Sequence, residues 1–169
     1  TYEVMMSWEK PIMDKMAEVT VNKGDHVLEC GFGMGILSDA IQARNPASHT
    51  ICELHPDVIP KLRTWAKGKD NIKLWEDDWS KLIYFPEKYD AILMDTFADD
   101  ALASRFKIFC NTKADANCKV SWWNNSGKTT SSFMDSLWND INFIDVDITP
   151  PPNQYYNQSI YKIPLKIIK

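Results

Sequence analysis

The side chains able to do chemistry in this chain gather in a few short stretches. Gly31-Phe32-Gly33-Met34-Gly35 follows the apolar run Val27-Leu28-Glu29-Cys30. Glycines so spaced let a backbone approach a ligand closely and take φ values that other residues resist. A helix behind such a loop presents free N–H groups. The plain alternative is a tight strand-to-helix turn, and the GxGxG spacing disfavours a dinucleotide site, which uses GxGxxG. Glu53 lies about 20 residues further on, where an acid can accept hydrogen bonds from both ribose hydroxyls of an adenosine-type ligand. In Trp75-Glu76-Asp77-Asp78-Trp79 an acid can accept from an adenine amino group while an indole walls the ring; otherwise this is an acidic loop with core tryptophans. Asp95, in Asp95-Thr96-Phe97, can hold a cation or accept a proton, or simply cap the next helix. Glu9, in Trp8-Glu9-Lys10-Pro11, could belong to a lid or be a first-turn acid favoured by the helix dipole. Asn124-Asn125-Ser126-Gly127 could line the far side of the same crevice with backbone N–H groups.

These stretches need elements to hold them at one place. The periodicity predicts a helix over Ser7–Val19, with Pro11 in its first turn and Ile12, Met13, Met16 and Val19 on one face. It predicts strands at His26–Cys30, Thr50–Glu53, Asn71–Trp75, Tyr89–Asp95 and Lys119–Trp123. Helices are expected at Ile36–Ala43, Val58–Lys67, Ala101–Cys110 and Ser132–Trp138. Asn142–Ile148 and Ser159–Ile168 alternate as antiparallel strands do. Strand–helix alternation closed by two adjacent strands predicts a mostly parallel sheet with a terminal antiparallel hairpin. Ligands in such sheets bind beyond the carboxyl ends of the strands, which is where Gly31, Glu53, Asp78, Asp95 and Asn125 all fall.

Composition narrows the function. The 169 residues are enough for a single domain over residues 1–169 with one sizeable core. A net charge of −4 and a pI near 5.3 argue against a nucleic-acid surface. No apolar run approaches the roughly 20 residues needed to cross a bilayer, and no signal peptide opens the chain. The four cysteines form no CxxC, so reduced thiols in a cytoplasmic protein are expected. His26, His49 and His55 form no helical pair, so no metal site is expected, and there is no GxSxG elbow. Ser126-Gly127-Lys128-Thr129 echoes the tail of a P-loop, but the first glycine of that motif would fall on Trp122.

Taken together, Val4-Met5-Met6-Ser7-Trp8-Glu9-Lys10-Pro11-Ile12-Met13, the run Val27 to Gly35, Ile51-Cys52-Glu53 and Ile92-Leu93-Met94-Asp95-Thr96-Phe97 resemble the guanidinoacetate N-methyltransferase family. They are also similar to its sister group, the fungal protein arginine δ-N-methyltransferases. Tyr155-Tyr156 and Ile163-Pro164-Leu165 carry the resemblance more sparsely to the end. The resemblance implies a class I, Rossmann-like α/β methyltransferase dependent on S-adenosyl-L-methionine (SAM). Its sheet would be mostly parallel and seven-stranded, with a C-terminal antiparallel strand and helices on both faces. By the same resemblance Gly31, Phe32, Gly33 and Met34 would pass the methionine part of SAM, Glu53 would hold the ribose, and Asp78 with Trp79 would meet the adenine. Met5 and Met13 would pack near the cofactor. Glu9 and Asp95 match the acids that grip a guanidinium, and Asn125 and Ser126 the backbone that receives a substrate carboxylate.

That chemistry suits the residue types. A guanidinium is a poor nucleophile because its lone pairs are delocalised. Two carboxylates favour its planar fork, and one of them, expected to be Asp95, can take a proton as the nitrogen attacks. The expected partner is a small guanidino compound. Departures from the family fall on the substrate-covering side. The chain begins at the VM-x2-WE motif, and Ala114-Asp115-Ala116-Asn117 replaces the usual Pro-Gly-Gly turn before the fifth strand. The later segments are also shorter, so a peptide arginine is the alternative acceptor. A SAM-binding partner subunit without turnover is a third reading, against which the intact Glu9 and Asp95 argue.

Overall fold

The computed structural model describes residues 2–96, 100–129, 131–150, 152 and 158–169, and of residues 2–7, 100, 101 and 132 the backbone alone. Phe97, Tyr155, Tyr156 and the side chain of Met5 lie outside the described residues. In chain order the elements are α1 (Tyr2–Thr20), β1 (His26–Cys30), α2 (Ile36–Gln42), β2 (Ser48–Cys52), α3 (Ile59–Ala66), β3 (Ile72–Trp75), a 3-10 helix (Trp79–Tyr84), β4 (Tyr89–Met94), α4 (Asp100–Lys113), β5 (Ala114–Trp122), α5 (Ser132–Asp135), β6 (Asn142–Asp147) and β7 (Ile160–Ile168). The strands form one sheet in the order β3-β2-β1-β4-β5-β7-β6. β1 to β5 run parallel, and β7 is antiparallel to both β5 and β6.

Helices cover both faces, as expected. On one, Ile12, Met13 and Met16 of α1 and Leu37 and Ile41 of α2 bury against Val27, Ala91, Leu93, Tyr161 and Ile163. Leu62 of α3 extends this layer against Phe32 and Ile51. On the other, Phe106 and Phe109 of α4 and Met134 of α5 bury against Leu28, Ile92 and Val120. Among the described residues, no helix is long and apolar enough to cross a membrane.

Three boundaries differ from the periodicity for physical reasons. α1 begins at Tyr2, so Pro11 lies inside the helix and not in its first turn. An interior proline costs about 3 kcal/mol. Burying Trp8, Ile12, Met13 and Met16, each at most 4% exposed, contributes roughly 6–12 kcal/mol and outweighs it. β5 begins at Ala114, directly after α4, so Ala114–Asn117 is strand and not a turn. The extra residues are absorbed by a register shift against β4 between Tyr89 and Ala91, with Asn117 at φ 62°, a conformation that Asn tolerates. α5 is a single turn, capped by Ser131, whose Oγ accepts the Met134 N–H at 3.1 Å. Met134 and Leu137 are buried all the same, so the apolar spacing that suggested a helix to Trp138 is satisfied without one.

All four cysteines are buried with free thiols. Burial pushes the Cys30 and Cys110 thiols well above their ordinary range, so neither is an activated nucleophile.

The turn after β5 is tied to β7. The Asn124 N–H donates to the Tyr161 hydroxyl at 2.6 Å, and Asn124 Nδ2 donates to the carbonyls of Lys128 (2.8 Å) and Lys162 (2.9 Å). Tyr161→Phe strands a buried N–H and is expected to cost about 1–3 kcal/mol, read as a lower urea midpoint; an unchanged midpoint would show that the hydroxyl is not needed.

Candidate active site at the carboxyl edge of the sheet

The site is assembled by strand register. Cys30 lies level with Cys52 on one side and Met94 on the other, so β1, β2 and β4 end together. The ladder runs one residue beyond them: Gly31 N–H donates to the Cys52 carbonyl (2.8 Å), Asp95 N–H to the Cys30 carbonyl (2.9 Å) and Glu53 N–H to the Trp75 carbonyl (3.0 Å). Gly31, Glu53 and Asp95 thus emerge side by side.

Gly31 has φ 92°, and a Cβ there would meet Thr96 Cγ2 at 2.6 Å and the Asp95 carbonyl at 2.7 Å. Only glycine lets the loop lie against the chain leaving β4. A Cβ on Gly33 would meet nothing within 4 Å, so the loop backbone there faces open space. Glu53 pins the loop: Oε1 accepts from the N–H groups of Phe32 (2.9 Å) and Gly33 (3.4 Å), and Oε2 from those of Leu54 (3.0 Å) and His55 (3.1 Å).

A cleft of about 260 Å³ opens beside this loop, lined among others by Gly31, Glu53, Asp78, Trp79, Thr96 and Arg105. Asp78 caps the 3-10 helix, with Oδ1 accepting from Ser80 N and Ser80 Oγ, both at 2.9 Å. Arg105 of α4 donates to Ser80 Oγ at 2.9 Å and stands 3.7 Å from Asp78 Oδ2. A larger cavity of about 400 Å³, lined by His26, Lys73, Trp75, Lys88 and Tyr89 among others, involves the starts of β1 and β4 and contains none of the expected site residues.

Asp95 is half-buried at the end of β4. Loss of solvent first, then the negative charges of Glu29 and Glu9, push its pKa from 3.8 to about 7. The charge of Glu9 of α1, the other acid expected at the site, acts on it. So does that of Glu29, which reads in sequence as an ordinary strand residue.

The other expected residues are placed as follows. Met13 is buried in the α1 core and does not line the cleft. Met34 sits on the glycine loop, 52% exposed. Asn125 is exposed, and Ser126 Oγ donates to Asn124 Oδ1 (3.0 Å) and accepts the Lys128 N–H (3.1 Å). Neither lines the cleft, and nor do Glu9, Phe32, Gly33, Met34 and Asp95. Arg105 and Leu102 do line it, one helical turn apart. That spacing was legible in the sequence, but attention to strand ends passes over a helix.

A family profile for guanidinoacetate N-methyltransferase matches residues 1–120. Protein arginine N-methyltransferase 2 of Candida glabrata is 41% identical over 106 residues, 57% of this chain and 26% of that protein. The Saccharomyces cerevisiae protein of the same name is 39% identical over 108 residues, with the same coverages. The chain therefore spans about a quarter of the length of these curated relatives. Among solved structures, the N-methyltransferase NodS from Bradyrhizobium japonicum aligns with a TM-score of 0.73 at 10% identity, covering 96% of this chain and 97% of that one. A putative methyltransferase from Streptococcus mutans, solved in complex with SAH, gives 0.66 at 10% identity, covering 92% and 96%.

Sheet order, glycine loop and the acid after β2 define the class: a Rossmann-like methyltransferase domain whose cofactor is SAM. The chain belongs to the guanidinoacetate N-methyltransferase family. The donor set is compatible with that cofactor: the loop backbone at Gly33 faces open space, and the Glu53 carboxylate lines the cleft.

The folded chain holds the Asp95 proton more tightly than the unfolded chain does. Its contribution to stability is therefore greatest below the ordinary carboxylate range and declines as pH rises towards 7. Asp95→Asn removes that penalty and is expected to stabilise the protein at pH 8 by about 2 kcal/mol, after allowing for partial exposure. Calorimetric melting should show a rise of about 5 °C; a lower melting temperature would contradict the assignment.

Proposed function

We propose that this chain transfers a methyl group from SAM to a nitrogen of a guanidino group, with a small molecule such as guanidinoacetate as acceptor. What supports this reading is Asp95 at the end of β4, level with the glycine loop, with the negative charge of Glu9 acting on it. A guanidinium is a planar cation, and two acids from different elements can hold its N–H groups in a fixed orientation. Glu9 orients the cation. Asp95, whose pKa is near 7, accepts the proton that the attacking nitrogen must lose. SAM, when bound, supplies the methyl group on a sulfonium. What remains is alignment, which the glycine loop and the end of β4 provide by lying against each other.

A second reading, a protein or peptide arginine as acceptor, is favoured by the names of the curated relatives. Mass spectrometry of products from guanidinoacetate, free arginine and an arginine peptide separates the two. Methylated guanidinoacetate supports the first reading; methylation of the peptide alone supports the second.

Asp95→Asn is expected to keep SAM binding in calorimetry and to lower turnover by about a hundredfold or more. Retained turnover would show that Asp95 is not the base. With the native enzyme, kcat/KM should rise about tenfold per pH unit below 7 and level off above it, because both cation binding and proton acceptance need the ionised carboxylate. A flat profile between pH 5 and 8 would contradict the role.

A further inference from the structure

Among the described residues, Arg105 is the one cation that lines the cofactor cleft; the acids there are Glu53, Asp77 and Asp78. Glu53 already accepts from four backbone N–H groups. Asp77 accepts from Lys81 Nζ at 3.0 and 3.1 Å. Asp78 keeps one oxygen open. Its Oδ1 accepts from the Ser80 N–H and the Ser80 hydroxyl, both at 2.9 Å. Its Oδ2 accepts no hydrogen bond among the described residues, and Arg105 Nη2 stands 3.7 Å from it, beyond hydrogen-bond reach.

Ser80 accounts for that gap. Arg105 Nη2 donates to the Ser80 hydroxyl at 2.9 Å. A guanidinium has no acceptor, so the Ser80 oxygen accepts from Arg105 and its own proton points to Asp78 Oδ1. A directed relay thus runs from Arg105 through Ser80 to Asp78, and it holds the cation one step away from Oδ2. The parts are firmly seated. Asp78 caps the 3-10 helix, and its carbonyl accepts the Trp75 indole N–H at 2.8 Å. The Arg105 guanidinium lies 6.0 Å from the centre of the Trp79 ring, at the edge of cation–π range. That ring packs edge-on against Phe106 and Phe109. The Arg105 and Asp78 side chains are 58% and 36% exposed, so their attraction adds little to folding stability. What the cleft binds explains the arrangement better than folding does.

We propose that Arg105 is a positioning residue for base recognition: acting through Ser80, it fixes the Asp78 carboxylate with Oδ2 open to accept the 6-amino group of the cofactor's adenine. A carboxylate only accepts, so the relay selects a 6-amino purine over a 6-oxo purine, whose oxygen would be set against Oδ2. Without Ser80, Arg105 is free to close on Oδ2 and occupy the acceptor. Without Arg105, the Ser80 hydroxyl is free to turn and the carboxylate to rotate. The inference rests on SAM as cofactor and on Asp78 as its adenine contact, and not on which guanidino compound is methylated.

The test is calorimetric binding of S-adenosylhomocysteine and S-inosylhomocysteine, which differ at the purine 6-position. The native chain should prefer the adenosyl compound by about tenfold or more. Arg105→Met, which keeps an apolar stem over Trp79, and Ser80→Ala should each cut that preference about fivefold. The double variant should cut it no further than the larger single change, because both residues act on one carboxylate. In methyl transfer, KM for SAM should rise in both single variants while kcat at saturating SAM is retained. An unchanged preference in Arg105→Met, even at lower affinity for both compounds, overturns the proposal. So do single losses that add in the double variant, or a native chain that binds both compounds alike. A native chain that binds neither overturns the SAM site as well. Loss of methyl transfer to every guanidino compound, with the binding preferences as expected, would overturn the acceptor reading and leave the relay standing.

Discussion

The site depends on three parallel strands ending level. β1 lies between β2 and β4 with Cys30 opposite both Cys52 and Met94, and the backbone bonds at Gly31 and Asp95 carry the ladder one residue past the strands. A shift of one residue in either pairing would turn side chains to the opposite face. It would separate the cofactor loop from Asp95. The register is secured by the strands themselves, since β1 and β4 are largely buried on both faces. Gly31 then allows what the register demands, a loop lying directly on the chain that leaves β4.

The second constraint is electrostatic. Burial raises the pKa of Asp95, and the negative charges of Glu29 and Glu9 raise it further. Negative charge around a carboxyl favours its protonated form and favours any cation that enters. The protein carries this arrangement at a cost in stability at neutral pH, a cost typical of sites built for binding or proton transfer and not for packing. Glu53 is held differently: its two carboxylate oxygens accept from four backbone N–H groups.

The fold was legible because apolar runs and turn residues mark the strands clearly, and the position of the site followed from where those strands end. What sequence could not show has physical causes. Pro11 suggests a helix start, but the burial of Trp8 and Ile12 carries the helix through it. Ala114–Asn117 has the polarity of a turn, yet the register shift against β4 draws it into the sheet. Glu29 is hidden because its environment, a buried oxygen beside a buried histidine, exists only after β1, β2 and α2 pack. Asn125 and Ser126 follow a strand as the other site residues do. Their turn is folded onto β7 by Asn124 and Tyr161, and so they do not line the cleft.

The central claim is that the acid cluster beside the glycine loop directs a methyl group from SAM to a guanidino nitrogen. It is tested most directly by a single-turnover experiment with methyl-labelled SAM, guanidinoacetate and excess protein. The account predicts label in the guanidino product from the native chain and almost none from Asp95→Asn at equal SAM occupancy. Label absent from every guanidino acceptor despite bound SAM, or transferred equally by both proteins, would contradict it.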